Sequence, residues 1–179
     1  MGNLIEIDDA IVLLLGTPAK HGASGQIQGI TRLEKLIFLL ERETSSKEWL
    51  DESADFEAYN FGPFSQKIYQ AVDTLAAAQL IEDSSRLAED TSDTWEQRET
   101  IGLRGDPYAT RDFKLTERGW RYYNALRQEL DQDSLSEIAA LKERFAFLPL
   151  RQLIRYVYSK YEKYTTKSVI RDDIMGTNG

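Results

Sequence analysis

One histidine, His21, and no cysteine leave this chain with few tools for covalent or metal chemistry. Disulfides, thiolate zinc sites, iron–sulfur clusters and a cysteine nucleophile are excluded, and general-base or metal sites ordinarily draw on several imidazoles. Adjacent carboxylates include the pairs Asp8/Asp9 and Asp172/Asp173. Neighbouring helical residues face different ways, so capping or solvation accounts for these pairs better than shared proton transfer. Gly22-Ala-Ser-Gly25, beside Lys20 and His21, has the glycine content of a phosphate-cradling loop. No Gly-Lys-Ser/Thr signature follows it, and a linker is the simpler reading. No catalytic residue, metal or cofactor is therefore expected.

Two sets of residues suit binding instead. Ser65, Gln66, Lys67, Gln70 and Thr74 fall on the outward side of a helix expected to start at Ser65. Glutamine can bond adenine in the major groove of duplex DNA, and lysine or serine can hold phosphate. Asp73 on the same stretch would repel phosphate, and an ordinary solvated face is the alternative. The second set lies in residues 142–171, where eight Lys+Arg face two Asp+Glu, a local excess of +6 in a chain of net charge -8. Lys142, Arg144, Arg151, Arg155, Lys160, Lys163, Lys167 and Arg171 are interleaved there with tyrosines. A phosphate-binding stripe fits this pattern, and so does a basic segment docked on the acidic remainder, within one molecule or across a dimer. Residues 82–106 carry eight Asp+Glu and three Arg with little periodicity. They read as a long exposed excursion, either simply solvated or a surface for a basic partner.

The elements that must position these residues follow from periodicity and caps. Asp8 or Asp9 can cap a first helix through about Leu15, and the stretch from Gly16 to Gly29 reads as loop. Thr31 and Glu34 have the spacing of a capping box, after which Leu33, Leu36, Ile37 and Leu40 predict a helix to about Glu43. Phe56-Glu-Ala-Tyr59 suggests a short strand, and Asn60-Phe-Gly-Pro-Phe-Ser65 a turn in which Gly62 is free to adopt unusual backbone angles. Ser65 then caps a helix to Leu80 with Ile68, Tyr69, Val72, Leu75, Ala76 and Leu80 inward. Phe113-Lys-Leu115 reads as a strand, and Thr116 caps a helix containing Trp120, Tyr123, Leu126 and Leu130. Two further helices follow, over about Leu135–Phe145 and from Pro149, with Leu150, Leu153, Ile154, Val157, Tyr158 and Tyr161 on one face. Leu33, Leu36, Ile37, Leu40, Ile68, Val72, Leu75, Leu80, Leu115 and Trp120 are expected to meet in one core.

The fold class is thus mainly α with a small β-hairpin: a winged-helix-like core over residues 1–130, with a long acidic wing loop at 82–110, and a C-terminal helical extension over 131–179 packed on the same domain. Such cores often place a helix in the DNA major groove, although the fold alone does not fix that use. Arg32-Leu-Glu-Lys-Leu-Ile-Phe-Leu-Leu40, Tyr59-Asn-Phe-Gly-Pro-Phe-Ser65 and Leu115-Thr-x-x-Gly119 resemble the YwgA-like bacterial and archaeal proteins of unknown function. They are similar, more distantly, to the Panacea proteins, the SocA-like antitoxin group. Pro149 to Tyr161 also resembles the tail of the YwgA-like group, with Glu162 where a proline is expected. The likeness covers about residues 30–170 and its motifs are structural. It implies a winged-helix-like core and a prokaryotic setting of the toxin–antitoxin or phage-related kind.

At 179 residues the chain has the length of one domain. Its early apolar run, Ala10 to Leu15, is far short of the about 20 residues that span a bilayer, and Asp8 and Asp9 stand where a secretory signal would be basic. A cytoplasmic setting without membrane contact is the simplest expectation. The leading reading is a non-enzymatic DNA-binding protein that contacts duplex DNA through Ser65, Gln66, Lys67, Gln70, Thr74, Arg151, Arg155, Lys163 and Lys167, and dimerises through its C-terminal helices. The alternative is a protein–protein interaction module, an antitoxin or adaptor, that presents an acidic surface to a basic partner.

Overall fold

The computed structural model describes residues 5–20, 24–59, 62–87 and 109–165. His21, Trp95, Lys167, Arg171 and the Asp172/Asp173 pair lie outside them. The described part is mainly helical with a small antiparallel sheet. Helix α1 (Ile7–Gly16) is buried along nearly its whole length, so its uniformly apolar sequence marks the central element rather than a surface one. Its cap residue is Glu6, not Asp8 or Asp9: the Asp9 carboxylate reaches back to accept the Glu6 amide at 3.3 Å.

The glycine-rich stretch after α1 is not all loop. It contains strand β1 (Gln26–Gln28), which pairs antiparallel with β5 (Ala109–Leu115), Ile27 opposite Phe113. Helix α2 (Ile30–Glu43) starts from Gly29, whose φ of 91° breaks the strand. Thr31 and Glu34 form no capping box, because both are buried and Glu34 is turned into the protein. Strands β2 (Glu57–Tyr59) and β3 (Gly62–Phe64) form a separate small pair on either side of the Gly-Pro turn.

Helix α3 (Gln66–Ala77) ends three residues before Leu80, and Gln79 at φ 62° turns the chain into β4 (Ile81–Leu87). β4 and β5 pair from Ile81↔Leu115 outward to Leu87↔Ala109, so both margins of the expected 82–110 wing loop are strand. The stretch between them lies outside the described residues. With β1 the sheet has three strands, in the order β1-β5-β4, rather than a hairpin alone. Helix α4 (Glu117–Leu126) is capped by Thr116, which accepts the Gly119 amide at 2.9 Å, and α5 (Gln132–Phe145) by Asp131. Helix α6 (Leu150–Lys160) follows Pro149.

The expected core forms one cluster with two adjustments. Leu80 and Trp120 are half-buried at its margin, whereas Leu33, Leu36, Ile37, Leu40, Ile68, Val72, Leu75 and Leu115 are fully inside. Residues of α5 and α6 belong to the same cluster, since both helices pack on α2. No helix among the described residues is long and apolar enough to cross a membrane.

Candidate functional site

The start of α3 is fixed from below. Glu34 and Lys35 on α2 are both fully buried, with Lys35 Nζ 2.9 Å from Glu34 Oε1. Lys35 also donates to the Pro63 carbonyl at 3.0 Å, and Glu34 Oε2 accepts the Ser65 amide at 2.9 Å. The buried pair thus holds the last residues of the turn and the cap of α3. Ser65 caps as expected, its Oγ accepting from the Ile68 amide and donating to the Ala54 carbonyl. It is completely buried, so it cannot be an outward contact, which corrects its place among the binding residues.

Gln66, Gln70, Asp73 and Thr74 do form an exposed face on α3. Thr74 Oγ1 donates back to the Gln70 carbonyl at 3.0 Å. The charges around this face come largely from elsewhere in the chain. Lys67 Nζ lies 2.8 Å from Asp55 Oδ2 and 3.3 Å from Glu52 Oε2, and donates to the Ser53 carbonyl at 3.0 Å. The hydrogen bond to Asp55, with Glu52 beside it, raises the Lys67 pKa above the ordinary lysine value. At the other end, Arg111 on β5 donates to Asp73 at 2.9 Å and to Asp83 on β4 at 3.1 Å, tying α3 to the hairpin. Burial would lower the Arg111 pKa, but its bonds to Asp83 and Asp73 prevail and raise it. Among the described residues two cations are therefore shared among four carboxylates, which makes this part of the collar of α3 negative. Among the described residues no group of three acidic or imidazole side chains converges to hold a metal ion.

The C-terminal basic residues do not line up as one stripe. Lys142 is fully buried and donates to the Leu15 and Thr17 carbonyls, both at 2.7 Å, where α1 leaves carbonyls without helical partners. Lys160 sits 3.1 Å and Arg144 4.0 Å from Glu43, whose carboxylate also accepts the Tyr156 and Tyr161 hydroxyls. Burial would raise the Glu43 pKa, but the bonds from Tyr161, Tyr156 and Lys160 outweigh it and hold the carboxyl below its usual range. Part of the basic segment is thus docked on an acidic residue of its own chain. Arg151 and Arg155 are exposed on α6, and Lys163 lies against the Tyr164 ring at 5.0 Å. α6 packs on α2 and β3, while α3 packs on α1 and β4, so the two sets of expected contacts rest on different supports.

Burial also lowers the Lys142 pKa to about 8, against the ordinary 10.5. Between these values the unfolded chain holds a proton that the folded chain has lost, so stability rises with pH across that window. The gap corresponds to at most about 3 kcal/mol. Burial, with Asp9 beside Tyr122 and Glu43 beside Tyr161, pushes those tyrosines up from 10.0. A raised tyrosine pKa removes stability above its ordinary value, so the Lys142 effect is read between pH 8 and 10. Denaturation midpoints should climb over this interval in the native protein and stay flat in Lys142→Met.

No protein-family model, curated protein or solved structure matches the chain.

Proposed function

We propose that this chain is a non-enzymatic, winged-helix-like binding module whose α3 face receives a basic segment of a partner protein. The order α1-β1-α2-β2-β3-α3-β4-β5, with a three-stranded sheet in the order β1-β5-β4, supports this reading, in which α3 would correspond to the groove-reading helix of such folds. The reading rests on one observation: among the described residues, the cations that pair around α3, Lys67 and Arg111, are each shared by two carboxylates. Phosphate binding needs cations to replace the counterions it releases, and a collar of two cations and four carboxylates repels a polyanion instead. A cationic surface meets the same collar with favourable charge, which speeds and orients association. An antitoxin or adaptor in a prokaryotic cell, the setting implied by the resemblance to the YwgA-like and SocA-like groups, is a role of this kind.

Duplex DNA is the second reading, favoured by the exposed Gln66 and Gln70 one turn apart and by the exposed Arg151 and Arg155. Amide NMR titrations at low salt separate the two. An oligolysine peptide should shift resonances at Glu52, Asp55, Gln66, Gln70 and Asp73 and leave the equally exposed Glu117, Glu129 and Asp133 unmoved. Shifts scattered over all acidic residues would reject α3 as the site. Duplex DNA should move none of them. Salt-sensitive DNA binding that Arg151→Ala and Arg155→Ala weaken for all sequences, and that Gln66→Ala makes less selective, would transfer the function to DNA.

A further inference from the structure

Helices α3 and α4 meet at one end and are bridged at the other. Thr116, the cap of α4, donates its hydroxyl to the Gln79 carbonyl at 2.6 Å and its amide to the Leu80 carbonyl at 3.1 Å, so α4 starts where α3 stops. Both helices pack on α1, whose N-terminus lies between them. On one side of it the Tyr122 hydroxyl of α4 donates to Asp9. On the other, burial raises the Asp8 pKa, and the nearby Asp9 and Glu52 carboxylates add to that rise. Arg118 and Tyr122 are one turn apart on the same side of α4, so Arg118 shares the side turned towards α1 and α3.

Charge is segregated along this surface. Glu52 and Asp55 stand at the start of α3, held there by Lys67 and by the bond from Ser65 to Ala54, and two carboxylates around one lysine leave that end acidic. The other end of α3 lies about 18 Å further along its axis, and there the exposed Arg118 and Arg121 begin α4. Among the described residues Arg118 pairs with no carboxylate, and Arg121 pairs with Glu117 alone, both side chains being largely exposed. Between the two ends the exposed residues of α3, Gln70, Thr74 and Ala77, are uncharged. Tyr122, 36% exposed, is one of two large hydrophobic residues exposed to that degree among the described residues.

We infer that the basic segment received by the α3 face is α4 of a second copy of this chain, which rests on α3 being the receiving face. Two copies related by a two-fold axis near the middle of α3 would each set Arg118 and Arg121 against Glu52 and Asp55 of the other. A surface that is acidic at one end and basic at the other is its own complement under that rotation, and each contact is made twice. Gln70 and Thr74 would lie near the axis, and Tyr122 would supply an apolar contact. With so little apolar surface between the charged ends, the dimer is of the weak, salt-sensitive kind.

Sedimentation equilibrium of the full chain, from micromolar to millimolar concentration at low salt, reads the dimer directly. The average mass should rise from one chain towards two and fall back as salt is added. Arg118→Glu and Glu52→Lys change exposed side chains, so each protein should keep its denaturation midpoint while dimerising about tenfold or more weakly. Mixed together, the two variants should form a heterodimer, because both sets of contacts regain opposite charges. A native protein that stays monomeric at millimolar concentration overturns the dimer, as does a dimer indifferent to Arg118→Glu or a mixture that fails to associate. If oligolysine still shifts Glu52, Asp55 and Gln70 in such a monomer, the α3 reading survives that failure; if it does not, both fall.

Discussion

Replacing Lys35 by methionine should destabilise the protein by about 3–5 kcal/mol, the cost of leaving one member of a buried ion pair alone. Methionine fills much of the same space, so little of the loss comes from a cavity. What is lost is the charge that compensates Glu34 and the donor that holds the Pro63 carbonyl. Glu34 would keep the Ser65 amide but would sit as a carboxylate in an environment with no solvent. Against a total stability of about 5–15 kcal/mol for a domain, this is a large fraction, and a shifted urea midpoint will report it. Glu34→Gln in the Lys35→Met background should recover part of the loss, because a neutral amide no longer needs a counter-charge and still accepts from Ser65. A Lys35→Met protein within about 1 kcal/mol of the native chain would mean that the pair does not hold the turn.

How much of this was legible in the sequence depends on how far apart the interacting residues lie. The helical stripes of α2, α3 and α6 are local patterns, and Leu33, Leu36, Ile37 and Leu40 announce their helix without help from the rest of the chain. Ser65 and Thr116 announce their caps in the same way. The start of α2 does not follow local rules. Thr31 and Glu34 have the spacing of a capping box, but tertiary packing buries both and gives Glu34 to an amide 31 residues away. Strand β1 has only Gln-Ile-Gln to identify it, between glycines, and exists because β5 supplies a partner. β4 is hidden by its carboxylates, since Glu82 and Asp83 look like the beginning of an exposed loop.

The candidate site divides along the same line. Gln66, Gln70 and Thr74 share an exposed face because helical spacing alone puts them there. Their electrostatic setting is not a property of α3. Glu52 and Asp55 arrive from the segment before β2, and Arg111 from β5. Net charge along the chain likewise places Lys142 in a basic run, although its partners are carbonyls 127 and 125 residues away in the sequence. A charge count reports which residues are present and not where they point.

The turn that leads into α3 is a sensitive backbone position. Gly62 has φ 94°, a conformation that residues with a side chain rarely adopt. A Cβ built there would lie 2.5 Å from Cε1 of Tyr158, a ring buried in α6. The two penalties have different origins, one in the backbone and one in packing, and together they should cost Gly62→Val about 3 kcal/mol or more. Gly62→Ala carries the same Cβ and should lose most of that stability as well, so the pair of variants isolates the Cβ from the bulk beyond it. Trimming the obstacle separates the two origins. If the clash dominates, Tyr158→Leu should cost less in the Gly62→Ala background than in the native protein; if backbone strain dominates, the two costs should simply add. Neither variant removes a group from the α3 face, so oligolysine binding should fall only with the folded fraction. A Gly62→Val protein that is fully stable and has lost only its ligand would make the turn itself a contact site and undo its structural role.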